Sequence, residues 1–318
     1  MQKLYVAVYH YVRDLKYSRY PNIKGMDVRL FKEQIAFFKE NFNTVTMEDV
    51  LDYYDRGTPL PEKALLLTFD DAFIDHYTVV FPLLQENKMQ GSFFVPGQVY
   101  AECKMPDMNK IHFIIEKAPV KDIYNEVLRR IDDLISNHEC ELPSREELLE
   151  KYAFDKRFDK KETVFVKQML QTVLPEDIRH RITAELFDRY VGVDERIFAA
   201  ELYMTPDQIR FMKRSGMFIG LHGYGHYRLN SLTPEKLKED MDAAFSAMSD
   251  VIDTKNTVMN YPYGSYNETA AEYLRKIGCR ASFTVEPRIA DLDKDDRMLL
   301  PRLDCNDFPP KSEHYLEV

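Results

Sequence analysis

The stretch ALLLTFDDA, residues 64–72, decides the fold class. Residues 64–67 form a continuous apolar run, and we predict a strand over residues 64–69 of the kind that is buried on both faces of a parallel sheet. Asp70 and Asp71 follow directly where this strand ends. Because functional groups in parallel α/β folds lie where strands end and loops begin, the polar residues after each strand are the first candidates for a site.

Strand and helix signals alternate on both sides of this stretch. Further strands are predicted at residues 4–9, 44–46, 92–95, 217–221, 257–261, 281–285 and 299–303, and helices at 48–54, 79–84, 205–216 and 268–277. Pro206 and Pro234 each follow a threonine, as at the first position of a helix. This alternation predicts an α/β protein with a parallel sheet or barrel.

Residues 105–198 interrupt the alternation. Strand signals nearly vanish there, and charged amphipathic helices are predicted at 120–136, 145–151, 161–174 and 175–190. The acidic segment after Gly192 is expected to be a loop. We therefore predict one α/β domain made of residues 1–104 and 199–318, and a helical insertion over residues 105–198.

Composition excludes several classes of protein. The net charge is −10, from 53 acidic and 43 basic residues, which disfavours non-specific nucleic-acid binding. No apolar run approaches the length of a membrane span, and the short apolar start of the chain is interpreted as a strand rather than a signal peptide. The four cysteines form no CxxC pair. Together these features predict a cytoplasmic protein with reduced thiols.

Two further segments follow predicted strands. In HGYGH, residues 222–226, two histidines stand at i and i+4, a common spacing of metal ligands, but the glycines between them argue against a helix. In YPYG, residues 261–264, a Pro-aromatic-Gly turn can direct a backbone N–H at a developing oxyanion. Each of the three segments alone also has a structural explanation. Asp70 and Asp71 could cap a helix after the strand, the two histidines could lie in a tight loop, and residues 261–264 could form an ordinary turn.

Taken in order, the three segments make the chain resemble the polysaccharide deacetylases of carbohydrate esterase family 4. The family signature is TFDDG, H-[ST]-x-x-H and R-x-P-Y-G, and residues 68–72, 222–226 and 260–264 match it here. The resemblance covers about residues 1–100 and 200–305. It implies a distorted (β/α)7-type barrel that binds one divalent metal ion, usually zinc.

Roles follow from the resemblance position by position. Asp71, His222 and His226 would be the metal ligands, and Asp70 would be the general base. The backbone N–H of Tyr263 would hold the oxyanion of the tetrahedral intermediate.

The sequence departs from the signature at three of its positions. Ala72 replaces the usual glycine, which is a minor change if φ is negative there. Gly223 replaces a serine or threonine, so the hydroxyl that braces the histidine loop in the family is missing. Asn260 stands where the family has an arginine that pairs with the catalytic aspartate, and Arg302 is the candidate replacement for that cation.

The family's late Leu-x-His, whose histidine is the general acid, is also absent. His10, at the end of the first strand, and His112, in the insertion, are the candidate replacements. His76 is closer to the first motif in sequence, but we expect it on the following helix.

The predicted function is metal-dependent removal of an acetyl or formyl group from an amino sugar, with a carbohydrate as partner and no nucleic acid. The substrate would be a precursor of a surface polysaccharide, either soluble or linked to a carrier such as a nucleotide or a lipid. The insertion would narrow substrate choice or form an oligomer contact. Two alternatives stay open: an amidohydrolase of cyclic imides or ureides on the same fold, and a carbohydrate-binding protein that has lost catalysis.

Overall fold

The computed structural model of the chain describes residues 2–156 and 159–317. It divides into two compact units, of which the first comprises residues 2–18, 24–104 and 199–317, and the second comprises residues 19–23 and 105–198. The predicted division assigned residues 19–23 to the first unit. The predicted boundaries at residues 1 and 318 lie outside the described residues. No helix in the described part of the chain is long and apolar enough to cross a membrane.

Eleven strands are found among the described residues, all of them in the first unit. They are β1 (Lys3–Tyr9), β2 (Val12–Arg13), β3 (Met26–Asp27), β4 (Asn43–Thr44), β5 (Ala64–Asp70), β6 (Gly91–Val95), β7 (Phe218–Leu221), β8 (Val258–Asn260), β9 (Ala281–Phe283), β10 (Ala290–Asp291) and β11 (Leu303–Asp304).

The helices surround these strands in the first unit and make up the second unit. In chain order they are α1 (Val28–Asn41), α2 (Met47–Arg56), α3 (Phe81–Asn87), α4 (Gly97–Glu102), α5 (Asp107–Lys117), α6 (Val120–Ser136), α7 (Arg145–Tyr152), α8 (Lys161–Gln168), α9 (Glu176–Tyr190), α10 (Glu195–Leu202), α11 (Pro206–Arg214), α12 (Pro234–Ala247) and α13 (Glu268–Lys276). Short π-helical turns at His76–Val80 and Met169–Val173 precede α3 and follow α8.

Seven parallel strands close into a barrel. They follow the order β1-β5-β6-β7-β8-β9, and residues 300–304 complete the ring, because Leu300 bridges Phe283 of β9 and Leu303 of β11 pairs with Ala7 of β1. The short strands β4 and β10 add to β5 and β1 at their amino-terminal ends. The predicted α/β fold, a distorted (β/α)7-type barrel with a helical insertion, is confirmed.

The barrel interior changes from apolar to polar along the strands. Side chains alternate along a strand, so Leu66, Thr68 and Asp70 share one face of β5. Leu66 belongs to the apolar core cluster, together with Phe94 and Phe283 on other strands. Asp70 stands at the carboxyl end of the same face, so polar groups collect at that end of the barrel, as is usual for active sites in barrel enzymes.

Most of the predicted helices agree with the structure, but the acidic segment after Gly192 is not a loop throughout. Helix α10 begins at Glu195, because the Asp194 carboxylate accepts hydrogen bonds from the backbone N–H groups of Arg196 (2.9 Å) and Ile197 (3.4 Å). An aspartate in this position caps a helix. The prediction also lacked α4 and α5.

Candidate active site

The chain turns sharply at the end of β5. Asp70 is the last residue of the strand, and the next two residues, Asp71 and Ala72, have φ values of +76° and +59°. The two carboxylates therefore do not simply point apart, as neighbours on a regular strand would. The condition under which Ala72 would be a minor change, a negative φ, is therefore not met, and a left-handed alanine costs about 1 kcal/mol relative to glycine.

Asp71, His222 and His226 form a group that could hold a metal ion. All three are buried, and the Asp71 Oδ1 atom lies 3.2 Å from His226 Nε2 and 3.5 Å from His222 Nε2. Ligand atoms around a tetrahedral zinc ion are roughly 3.3–3.5 Å apart, as follows from bond lengths near 2.0–2.2 Å. The carboxylate and imidazole donors, and the two distances from Asp71, therefore fit such an ion.

A hydrogen bond orients His222 for this role. Its Nδ1 atom lies 2.7 Å from the backbone carbonyl oxygen of Asn260, so Nδ1 carries the proton, which leaves the lone pair of Nε2 available as a metal ligand. Burial lowers the pKa of His222 to about 4, so the imidazole is neutral at pH 7, which is the ligating form. Asn260 thus contributes to the site through its backbone.

Arg302 holds the other carboxylate. Its Nη1 and Nη2 atoms donate to the two Asp70 oxygens at 3.0 and 2.8 Å, and its Nε donates to the Thr284 carbonyl oxygen at 2.9 Å. Both charged side chains are about 1% exposed. Burial alone would raise the pKa of Asp70, but the Arg302 guanidinium holds it below its usual value. The structure therefore places Arg302 where the candidate replacement for the family's cation was expected.

The Asn260 side chain does not take part in this pair. It is fully buried on β8, and within the described residues its amide oxygen and nitrogen have no hydrogen-bond partner.

The candidate histidines lie at different places. His10 follows β1, and its Nε2 atom is 3.9 Å from Asp70 Oδ2, with 38% of its side chain exposed. His76 is fully buried in the π-helical turn before α3, and its Nε2–H donates to the His10 carbonyl oxygen at 2.7 Å, so it supports the backbone of His10. Burial lowers the pKa of His76 to about 4. His112 lies on α5 in the second unit.

The turn at residues 262–264 brings Tyr263 next to the histidines. Tyr263 has a φ of +60°, and its ring centroid lies 4.9 Å from that of His226. The Arg228 guanidinium lies 4.2 Å from the centre of the Tyr263 ring, in a cation–π contact. The third motif thus borders the candidate metal ligands.

Comparison with known proteins agrees with this geometry. The family model for polysaccharide deacetylases matches residues 57–179 and 157–282 of the chain. The chain belongs to the polysaccharide deacetylase family. The resemblance predicted from the three motifs is confirmed.

Curated relatives match shorter segments. The Bacillus subtilis (strain 168) protein YxkH is 29% identical over 92 residues, which are 29% of this chain and 33% of that protein. The poly-beta-1,6-N-acetyl-D-glucosamine N-deacetylase of Escherichia coli (strain K12) is 46% identical over 55 residues, which are 17% of this chain and 8% of that enzyme. The matched segments thus span a third or less of these relatives.

Solved structures share the fold over nearly the whole chain. The Streptococcus pyogenes deacetylase PplD, in complex with acetate, has a TM-score of 0.59 at 15% identity, with 99% of this chain and 96% of that chain covered. IcaB from Ammonifex degensii has a TM-score of 0.56 at 20% identity, with coverage of 100% and 98%.

One residue of this family member was missed by the sequence analysis. Asp240, on α12, accepts hydrogen bonds from the backbone N–H groups of Tyr224 and Gly225, in the loop between the two histidines. The signal in the sequence was an acidic residue in the middle of an apolar helix stripe, formed here by Leu237, Met241 and Ala244. A carboxylate in such a position needs a partner, which identifies it as a residue to examine.

Proposed function

We propose that this chain is a metal-dependent N-deacetylase that removes an acetyl or formyl group from an amino sugar of a polysaccharide or its precursor. The observation that carries the proposal is the buried Asp71–His222–His226 group beside an aspartate held by Arg302. The activity named for the Escherichia coli relative, an N-deacetylase of an N-acetylglucosamine polymer, supports an N-acylated sugar as substrate.

Zinc is the metal that we propose. Two imidazole nitrogens and one carboxylate oxygen are a usual ligand set of catalytic zinc, with the fourth position left for water or substrate. Such an ion supplies a Lewis acid for the amide carbonyl and lowers the pKa of water.

Asp70 would act as the general base. Each oxygen of an ionised carboxylate has two lone pairs, so Asp70 can accept from Arg302 and still accept the proton of the attacking water. Because Arg302 lowers the pKa of Asp70, the carboxylate stays ionised at neutral pH. The pairing of Asp70 with Arg302 also argues against the alternative of a carbohydrate-binding protein that has lost catalysis.

Tyr263 and His10 would complete the reaction. The Tyr263 backbone N–H would donate to the carbonyl oxygen as it becomes an oxyanion. His10, near Asp70 and partly exposed, would give a proton to the nitrogen as the amide C–N bond breaks. Water thereby adds across the amide bond, and the products are a free amine and acetate or formate.

A metal analysis combined with a substrate panel tests the proposal. Purified protein would be assayed for bound zinc and for release of acetate or formate from β-1,6-linked N-acetylglucosamine oligomers, chitooligosaccharides and nucleotide-linked N-acyl sugars, with a cyclic imide beside them. We expect about one zinc ion per chain, loss of zinc in Asp71→Ala and His226→Ala, and zinc with little activity in Asp70→Asn. Glu239→Ala, at an exposed position of α12, is the control.

Two results would contradict the proposal. Failure of the wild type to take up zinc would remove the metal-dependent mechanism. Turnover of the cyclic imide without release of acyl groups from any sugar would favour the amidohydrolase alternative. The cytoplasmic location, and the part of the helical unit in substrate choice or oligomer formation, stay predictions.

A further inference from the structure

The loop between the two candidate histidine ligands has an unfavourable backbone conformation. Gly223 and His226 both have positive φ values, +67° and +56°. A non-glycine residue in this region costs of order 1 kcal/mol or more and persists where the surroundings hold it. Since His226 is itself a candidate ligand, whatever holds this loop also sets the direction of its imidazole.

Backbone hydrogen bonds hold the loop on one side. The N–H of Gly97 donates to the Gly223 carbonyl oxygen at 2.8 Å, and the N–H of Gln98 donates to the Tyr224 carbonyl oxygen at 3.0 Å. These contacts come from the start of α4 and engage the loop's acceptors. The N–H groups of Tyr224 and Gly225 need acceptors from another part of the chain.

Asp240 engages those N–H groups. Its Oδ2 accepts from Tyr224 N at 3.0 Å and its Oδ1 from Gly225 N at 2.7 Å. Asp240 is 6% exposed, so its carboxylate would be costly to bury without such charge-assisted bonds. Both oxygens of one side chain therefore fix two successive peptide groups of the loop.

Gly223 fits this carboxylate. A Cβ atom built on Gly223 would lie 3.1 Å from Asp240 Oδ2, closer than an ordinary van der Waals contact, and the φ there already disfavours a side chain. Glycine at position 223 and aspartate at position 240 are thus a matched pair. A side chain at position 223 would require the Asp240 carboxylate to shift by a few tenths of an ångström.

We propose that Asp240 is a positioning residue for the metal site, whose carboxylate holds the 222–226 loop so that both histidine Nε2 atoms face Asp71. The inference rests on the proposed function, since it assumes that these three side chains bind a metal ion. Asp240 acts through the backbone of the loop, because its carboxylate accepts from the N–H groups of Tyr224 and Gly225.

Zinc affinity of the full chain is the test, measured by competition with a chromogenic chelator. The variants are Asp240→Ala, Asp240→Asn and the control Glu239→Ala, which removes one negative charge from the adjacent, exposed position of the same helix. Loss of a residue that orients metal ligands costs about 10–100-fold in metal affinity, and we expect this for Asp240→Ala. Asp240→Asn keeps one acceptor oxygen and should lie between Asp240→Ala and the wild type, while Glu239→Ala should equal the wild type.

Unfolding of the zinc-free proteins is measured in parallel, so that a folding defect is separated from a positioning defect. If Asp240→Ala does not fold, the nearly isosteric Asp240→Asn variant decides the question. A folded variant at position 240 that binds zinc within about twofold of the wild type would overturn the inference while leaving the metal site intact. A wild type that binds no zinc would overturn the proposed function, and this inference with it.

Discussion

Replacing Arg302 by methionine should destabilise the protein strongly, because the change leaves a buried carboxylate without its cation. Asp70 and Arg302 are each about 1% exposed and share two hydrogen bonds. Removal of one partner of such a pair costs about 3–5 kcal/mol. Arg302 also donates to Thr68 and Thr284, so those acceptors lose a donor as well.

A double-mutant cycle separates the ion pair from the packing around it. Asp70→Asn leaves the buried guanidinium without a compensating negative charge and should also cost several kcal/mol, whereas Asp70→Asn with Arg302→Met removes both charges. The double variant should therefore lose less than the sum of the single variants, by about 2 kcal/mol or more. Urea unfolding of the metal-free wild type and the three variants gives the four free energies of unfolding that the cycle compares.

The control is Arg29→Met. Arg29 forms an exposed i,i+4 pair with Glu33, and such pairs are worth only about 0.3–0.5 kcal/mol. Two results would refute the argument that the buried Asp70–Arg302 pair stabilises the fold. One is a loss of stability below about 1 kcal/mol for Arg302→Met, and the other is a double variant whose loss equals the sum of the two single losses. Arg302→Lys keeps the charge without the planar fork, so it should fold better than Arg302→Met and still lose activity.

Three further predictions concern residues around this pair. His10→Gln should lower kcat for N-acetyl sugars by about 10²-fold or more. The kcat for an activated aryl acetate should fall far less, because its leaving group departs without a proton. Equal losses of kcat on both substrates would exclude His10 as the general acid. Gly223→Ala should weaken zinc binding when Asp240 is present and weaken it less in the Asp240→Ala background, because the carboxylate that the new Cβ would crowd is then gone. Chelator competition on the wild type, the two single variants and the double variant measures this, and equal effects in both backgrounds would contradict the prediction. Burial lowers the pKa of His76 to about 4 in the folded protein, so the unfolded chain binds more protons and stability falls as the pH drops from about 6.5 towards 4. His76→Gln should remove up to about 3 kcal/mol of that loss. Urea unfolding between these pH values measures it, and an unchanged dependence of stability on pH in the variant would refute the prediction.

The strands of the barrel and the three motifs could be predicted because their signals are local, whereas the two-residue strands β2, β3 and β10 were not predicted. The apolar run before Asp70 marks β5, and the boundaries of α6 coincide with the helix predicted at residues 120–136. Short elements with weak periodicity were missed, as α4 shows. Its six residues are too few to display a helical pattern.

Features that depend on distant contacts were harder to predict. The positive φ of Ala72 depends on how the chain leaves β5, and the only local indication of it is the glycine that the family has at this position. The function of Asp240 required knowing that α12 packs beside the 222–226 loop. Arg302 was found as a candidate only because the resemblance pointed to a missing cation.

The placement of Arg302 explains how this chain can lack the arginine of the third motif and keep a charged partner for Asp70. Asn260 is at the end of β8, whereas Arg302 lies just before β11, the strand that closes the barrel against β1. Since β1 is also the neighbour of β5, the barrel's closure brings position 302 within reach of the Asp70 carboxylate. Under the proposed mechanism Asp70 needs a cation at its oxygens, and the ring of strands allows that cation to come from the β11 side rather than from β8. The residue at position 260 of the third motif therefore does not decide whether Asp70 is paired with a cation. The distances from Arg302 to the two Asp70 oxygens do.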